Sequence, residues 1–169
     1  MDVRYINPFV SSIKNTFETM CMLRVSVGKP ELKSGKEPLS DVSAVIGFSG
    51  DAAGSVVLHF DFEAASKIAS SFAQIEITPD HDDFADALGE LANMIAGGAK
   101  SQFEGLSISI SLPNVIVGPD HNVSASKNAP RIIIPCNTNA GTLQVEIGMV
   151  LAKKVGDSAS KAVAVGANT

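Results

Sequence analysis

What the chain lacks excludes several function classes. It has no tryptophan, one tyrosine and two cysteines in 169 residues. Cys21 and Cys136 form neither a CxxC pair nor a Cys/His ligand spacing, so they read as small buried thiols in a reducing compartment. His59, His81 and His121 fall on a strand, a helix start and a loop, without the spacing of a metal site. Positive charge is also short: 13 Lys and Arg stand against 18 Asp and Glu, a net charge of −5. The cations are scattered, so neither nucleic acid nor an anionic membrane is an expected partner. Apolar runs such as Arg131-Ile132-Ile133-Ile134 are strand-sized, far below the ~20 residues of a membrane span. The opening MDVRYINPF has no charged stretch followed by an apolar one, so no signal peptide is expected and the protein is placed in the cytoplasm. Motifs of self-contained catalysis are missing too: there is no GxxxxGK(S/T), GxSxG, HExxH or strand-borne GxGxxG.

What is present is a chain that is 45% hydrophobic and 18% charged, enough to bury one substantial core. Residues 4–22 read as an amphipathic helix with Ile6, Phe9, Val10, Ile13, Phe17 and Met20 on one side, its start marked by Asn7-Pro8. Residues 23–33 suggest one strand weakened by Pro30, and 34–40 a polar loop. Strands 42–48 and 54–60 pair across a connection at 49–53, and Asp61 caps a short helix over 62–72. After Gly105 the period switches to 2, giving a strand over 106–112 that stops at Pro113, then a short apolar run at 115–117 closed by Gly118-Pro119. A polar loop at 120–130 precedes a second hairpin, 131–136 with 142–151. The order predicts an α+β fold, a mixed, largely antiparallel sheet with helices packed on one face. Residues 1–152 are expected to form the domain and 153–169 a flexible tail.

The longest predicted helix runs from Thr78 to Glu104, with Thr78 as cap and Pro79 in the first turn. Phe84, Leu88, Leu91, Ile95 and Gln102 share one arc, flanked by Ala87, Gly98 and Ala99, and form the core stripe. Asp86, Glu90, Asn93, Gly97 and Glu104 gather on the opposite side. Such a stripe is ordinarily just a solvated face. Two features argue for more: Asn competes with its own helix backbone, and Gly97 and Gly98 each cost about 1 kcal/mol relative to Ala. The glycines suit close approach of another backbone, from a packed neighbour or a docked partner. An Asn amide both donates and accepts, which suits orienting a water, while Glu90 offers a hook for a partner's Lys or Arg. Neither supplies a nucleophile or a metal site, so the remaining parts of any catalytic centre would come from another molecule.

Asp86-x-x-x-Glu90-x-x-Asn93 on a long helix, followed by Gly97, resembles the signature of the CheC/CheX/FliY phosphatases of bacterial chemotaxis. The stretch Gly47-Phe48-Ser49-Gly50-Asp51-Ala52-Ala53-Gly54-Ser55 looks like that family's Gly-Asp turn, and Tyr5-Ile6-Asn7-Pro8-Phe9 looks like the CheX opening. The first helix carries Asn15 and Glu18 in the reverse order, so a second motif is absent and a single-site, CheX-like protein is implied. The resemblance implies a phosphatase of the aspartyl phosphate on CheY-type response regulators, with Asn93 aligning the attacking water and Glu90 pairing with the regulator's Lys. Asp86 and Gly97 would support them. The chain would hold no cofactor of its own, and the regulator would bring the divalent metal, Mg. A homodimer is also implied. The alternative is a non-catalytic adaptor that binds a response regulator or a flagellar motor component.

Overall fold

Two long hairpins frame the molecule, whose computed structural model describes residues 3–33, 39–124 and 129–152. Strands β3 (Ser40–Gly50) and β4 (Ala52–Phe60) pair around Asp51, and β7 (Arg131–Thr138) and β8 (Gly141–Leu151) pair beside them. β4 joins β8 antiparallel, which fuses the hairpins into one sheet. The short strands β1 (Val25–Val27) and β2 (Glu31–Leu32) pair with β7, while β5 (Ile108–Ile110) and β6 (Asn114–His121) pair with β3. The largely antiparallel sheet is as expected, and among the described residues each pairing is antiparallel.

Strand alternation assigns the two faces. Val42, Ala44, Ile46 and Phe48 of β3 are buried, as are Leu143, Val145, Ile147 and Met149 of β8. They form one core with helices α1 (Val3–Met20), α2 (Phe62–Ala73) and α3 (Phe84–Lys100). Burying each large side chain such as Phe9, Phe17, Phe84 or Leu91 contributes roughly 1.5–3 kcal/mol. α3 is the central helix, packed on α1, α2 and the sheet. α2 begins at the predicted cap: Asp61 Oδ1 accepts from Ala64 N at 2.7 Å.

Local signals set several boundaries too generously. α3 starts at Phe84 rather than near Thr78, because Thr78–Asp83 forms turns in which Thr78 O accepts from His81 N. Just before them Ile77 is pinned, its N–H donating to Ser70 Oγ at 2.8 Å and its carbonyl accepting from Ser66 and Ser70. α3 ends at Lys100, which makes α1, at 18 residues against 17, the longer helix. The core stripe is as predicted through Ala99, except that Gln102 lies beyond the helix, exposed, and donates to Gly98 O. α1 already runs from Val3 with Pro8 inside it, and Met20 is on its exposed side.

The single strand predicted at 23–33 is two. Gly28 separates them, lying so close to β7 that a Cβ there would be 2.8 Å from Pro135 Cγ. The strand predicted at 106–112 keeps only Ile108–Ile110, whereas β6 continues through Gly118 and Pro119. A proline is tolerated there because β6 pairs with β3 alone among the described strands and its other side is an edge. The predicted tail at 153–169 and most of the loop at 34–40 lie outside the described residues.

Candidate functional site

α3 presents the predicted stripe. Asp86 and Glu90 are exposed, and Asn93 and Gly97 are half-buried. Among the described residues, no side-chain hydrogen bond or ion pair engages Glu90 or Asn93. A half-buried amide in the middle of a helix thus keeps its donors and acceptor available. Glu104, the last member of the predicted stripe, lies past the end of α3 and apart from the others.

The two glycines have different causes. Gly98 faces α1, and a Cβ there would lie 2.3 Å from Ser12 Oγ. Gly97 faces almost nothing: among the described residues the only atom near a Cβ would be Ile110 Cδ1 at 4.0 Å. Packing among the described residues explains Gly98 and leaves Gly97 unexplained.

The segment linking β5 to β6 runs along the stripe. Pro113 and Val115 approach α3 at Gly89, where a Cβ would be 3.3 Å from each. Between these elements lies a cleft of about 410 Å³ lined by Ala85, Asp86, Gly89, Glu90, Pro113 and Val115. The β3–β4 hairpin holds this segment in place. Ser111 N donates to Gly47 O and Gly47 N donates to Ser111 Oγ, both at 2.9 Å. Asp51 Oδ2 accepts from Ser107 N at 2.8 Å. The Gly47–Ser55 stretch therefore positions the strip beside Glu90, although it makes no part of the stripe itself. Sequence reading missed Ser111 as a positioning residue, since its partner is 64 residues away.

A second polar cluster occupies the opposite face of the sheet. Glu146, 2% exposed, accepts from Lys33 Nζ at 2.9 Å, from His59 Nε2 at 3.2 Å and from Arg131 Nη2. His59 Nδ1 lies 3.0 Å from Ser43 Oγ, which is 2.8 Å from His121 Nε2. Two of the three histidines are therefore joined through Ser43, while His81 is apart in the turns before α3, its Nδ1 accepting from Asp83 N. The available sequence signal was the strand period, which puts Ser43, His59 and Glu146 on one face. Among the described residues no group of three or more His, Cys, Asp or Glu could hold a metal ion. Both thiols are buried, as predicted, and burial pushes Cys21 up to about 11 and Cys136 up to about 12. No helix among the described residues is long and apolar enough to cross a membrane.

Comparison with known proteins follows the same lines. Residues 42–137 match the family described as chemotaxis phosphatase CheX. The chain is 30% identical over 128 residues to the CheY-P phosphatase CheX of Thermotoga maritima, covering 74% of this chain and 83% of that protein. Its structure is similar to the chemotaxis protein CheX of Desulfovibrio desulfuricans, with 32% identity, a TM-score of 0.79, and 88% and 99% of the two chains covered. It is also similar to a chain of the CheX–CheY–BeF3–Mg2+ complex of Borrelia burgdorferi, with 28% identity, a TM-score of 0.74, and 86% and 97% covered.

Proposed function

This chain belongs to the chemotaxis phosphatase CheX family, and from that premise we propose that it hydrolyses the aspartyl phosphate of a CheY-type response regulator through Glu90 and Asn93. The observation that carries the assignment is a carboxylate and an amide one turn apart on α3, both without a side-chain partner among the described residues. Beside them, Gly97 leaves a lane that this fold does not need.

In this reading α3 lies against the regulator's active site. Glu90 pairs with the regulator's Lys, a charge-assisted contact that fixes the helix in register. Asn93 then holds a water in line with the phosphorus–oxygen bond. The water oxygen attacks phosphorus, the bond to the Asp carboxylate breaks, and the carboxylate leaves as an anion while the inorganic phosphate keeps both hydrogens of the water. Phosphoryl transfer needs little covalent help from the protein, so positioning is the main contribution. The divalent metal, Mg, is the regulator's own. Asp86 adds negative charge one turn before Glu90, and Gly97 lets the partner's backbone approach.

We place this activity in the cytoplasm, with the chain as a homodimer. The exposed edge of β6, with Ile116 41% and Val117 45% exposed, is a surface for that association. Sedimentation equilibrium would read the stoichiometry.

The deciding experiment follows the decay of a phosphorylated CheY-type regulator, with binding measured alongside. Wild type should speed decay. Asn93→Ala should lose roughly a hundredfold or more in rate while still binding. Glu90→Ala should weaken binding by roughly tenfold to a hundredfold. Binding without any acceleration, across a panel of regulators, would make the protein an adaptor instead.

A further inference from the structure

We propose that Leu112, together with the adjoining Pro113 and Val115, forms an apolar docking wall for the same regulator and sets affinity without taking part in the chemistry. The proposal rests on the phosphatase reading and adds a surface to it.

Leu112 is 85% exposed, more than any other large hydrophobic residue among those described. Exposure of a single Leu would by itself be ordinary. Here it falls on a fixed segment rather than a loose one. Ser111 is bonded to Gly47 in both directions, and its hydroxyl donates to the Leu112 carbonyl at 2.7 Å. Pro113 follows directly and packs on Gly89. Because this backbone is already ordered, a partner that buries Leu112 loses little freedom in ordering it.

Position is the second observation. The cleft that begins at Pro113, the residue after Leu112, has Asp86 and Glu90 on one side and Pro113 and Val115 on the other. One wall is acidic and the other apolar. That combination fits a Lys or Arg whose methylene stem lies along Pro113 and Val115 while its charge meets the carboxylates. An apolar neighbour on the regulator's surface would then cover Leu112.

The spacing of the walls depends on Gly89, a buried glycine in the helix interior, where Ala would be favoured by about 1 kcal/mol on propensity alone. A Cβ would push Pro113 and Val115 outward, since both already lie 3.3 Å from its position. The fold thus holds the apolar wall one residue from Glu90. Charge complementarity and continuity with the Glu90 stripe both point to the regulator as occupant. Bulk net charge, −5 over the whole chain, also favours a partner that presents cations.

The test uses full-length protein and a CheY-type regulator phosphorylated by a small-molecule phosphodonor. Leu112→Ala and Leu112→Gln should raise KM and the regulator Kd at least fivefold and leave kcat unchanged. Leu112→Met should restore most of the affinity, and Met22→Gln, which removes another exposed apolar side chain (76% exposed), should leave both constants unchanged. Thermal melts should match wild type for each Leu112 variant. If the Leu112 variants bind with wild-type Kd while Glu90→Ala weakens binding, the docking wall is wrong and the phosphatase reading stands. A fall in kcat with unchanged KM would also overturn it. If wild type neither binds nor dephosphorylates any regulator, both fall together.

Discussion

Gly98 and Ser12 bring α3 and α1 into direct contact: a Cβ on Gly98 would lie 2.3 Å from Ser12 Oγ and 3.3 Å from Ser12 Cβ. The hydroxyl cannot swing aside freely, because it donates to Ile95 O at 2.8 Å within the buried helix interface. One residue earlier, Gly97 has open space. Packing inside the fold thus accounts for Gly98, whereas the role proposed for Gly97 lies in docking the partner.

Alanine separates the two roles. Gly98→Ala should destabilise the protein by about 1–3 kcal/mol through overpacking, read as a lower midpoint in urea unfolding. Gly97→Ala should stabilise it by up to about 1 kcal/mol, since helix propensity improves and nothing clashes. The same variant should bind the phosphorylated regulator more weakly. Unchanged affinity would remove Gly97 from the docking lane.

Glu146 is the anion on which three side chains of the outer sheet face converge. Glu146→Ala should cost about 3–5 kcal/mol, because Lys33, His59 and Arg131 would face a buried site without their common carboxylate. Below its melting temperature the variant should keep the wild-type kcat on the regulator, since Glu146 lies on the face opposite the helices. A large loss of kcat in a folded variant would link this face to catalysis.

The buried thiols give stability a specific alkaline limit. In the folded state Cys21 is pushed up to about 11 and Cys136 up to about 12 by burial, from the ordinary value of 9.0. Between the unfolded and folded values the unfolded chain binds fewer protons, so unfolding becomes easier as pH rises. Their contribution is fully present below about pH 9 and is lost as pH climbs through 11 and 12. Cys136→Ala should flatten the stability–pH curve in that window. Denaturant unfolding at stepped pH measures it, and an unchanged slope would refute the assignment.

Asp61 fixes where α2 begins. Asp61→Ala removes the acceptor for Ala64 N and should cost about 1 kcal/mol, while Asp61→Asn should retain most of it. Equal losses in both variants would mean that charge rather than the cap hydrogen bond matters.

The sequence by itself determined whatever depends on neighbours within a few residues. The helical period placed Asp86, Glu90, Asn93 and Gly97 on one side of α3, and Asp61 marked the α2 cap, because these relations repeat every turn or close within one. The β3–β4 and β7–β8 hairpins were legible for the same reason. Tertiary structure decided what requires distant partners. Ser66 and Ser70 capture Ile77 and delay α3 to Phe84, and β6 passes through Pro119 because it has a free edge. It also separated the causes of Gly97 and Gly98, which are identical letters in the sequence. Glu146 met His59 across 87 residues, and the segment that walls the cleft beside Glu90 is tied down by Gly47 through Ser111, 64 residues away. Periodicity is a property of one segment, whereas a contact between segments depends on how the sheet pairs, and no local pattern encodes that.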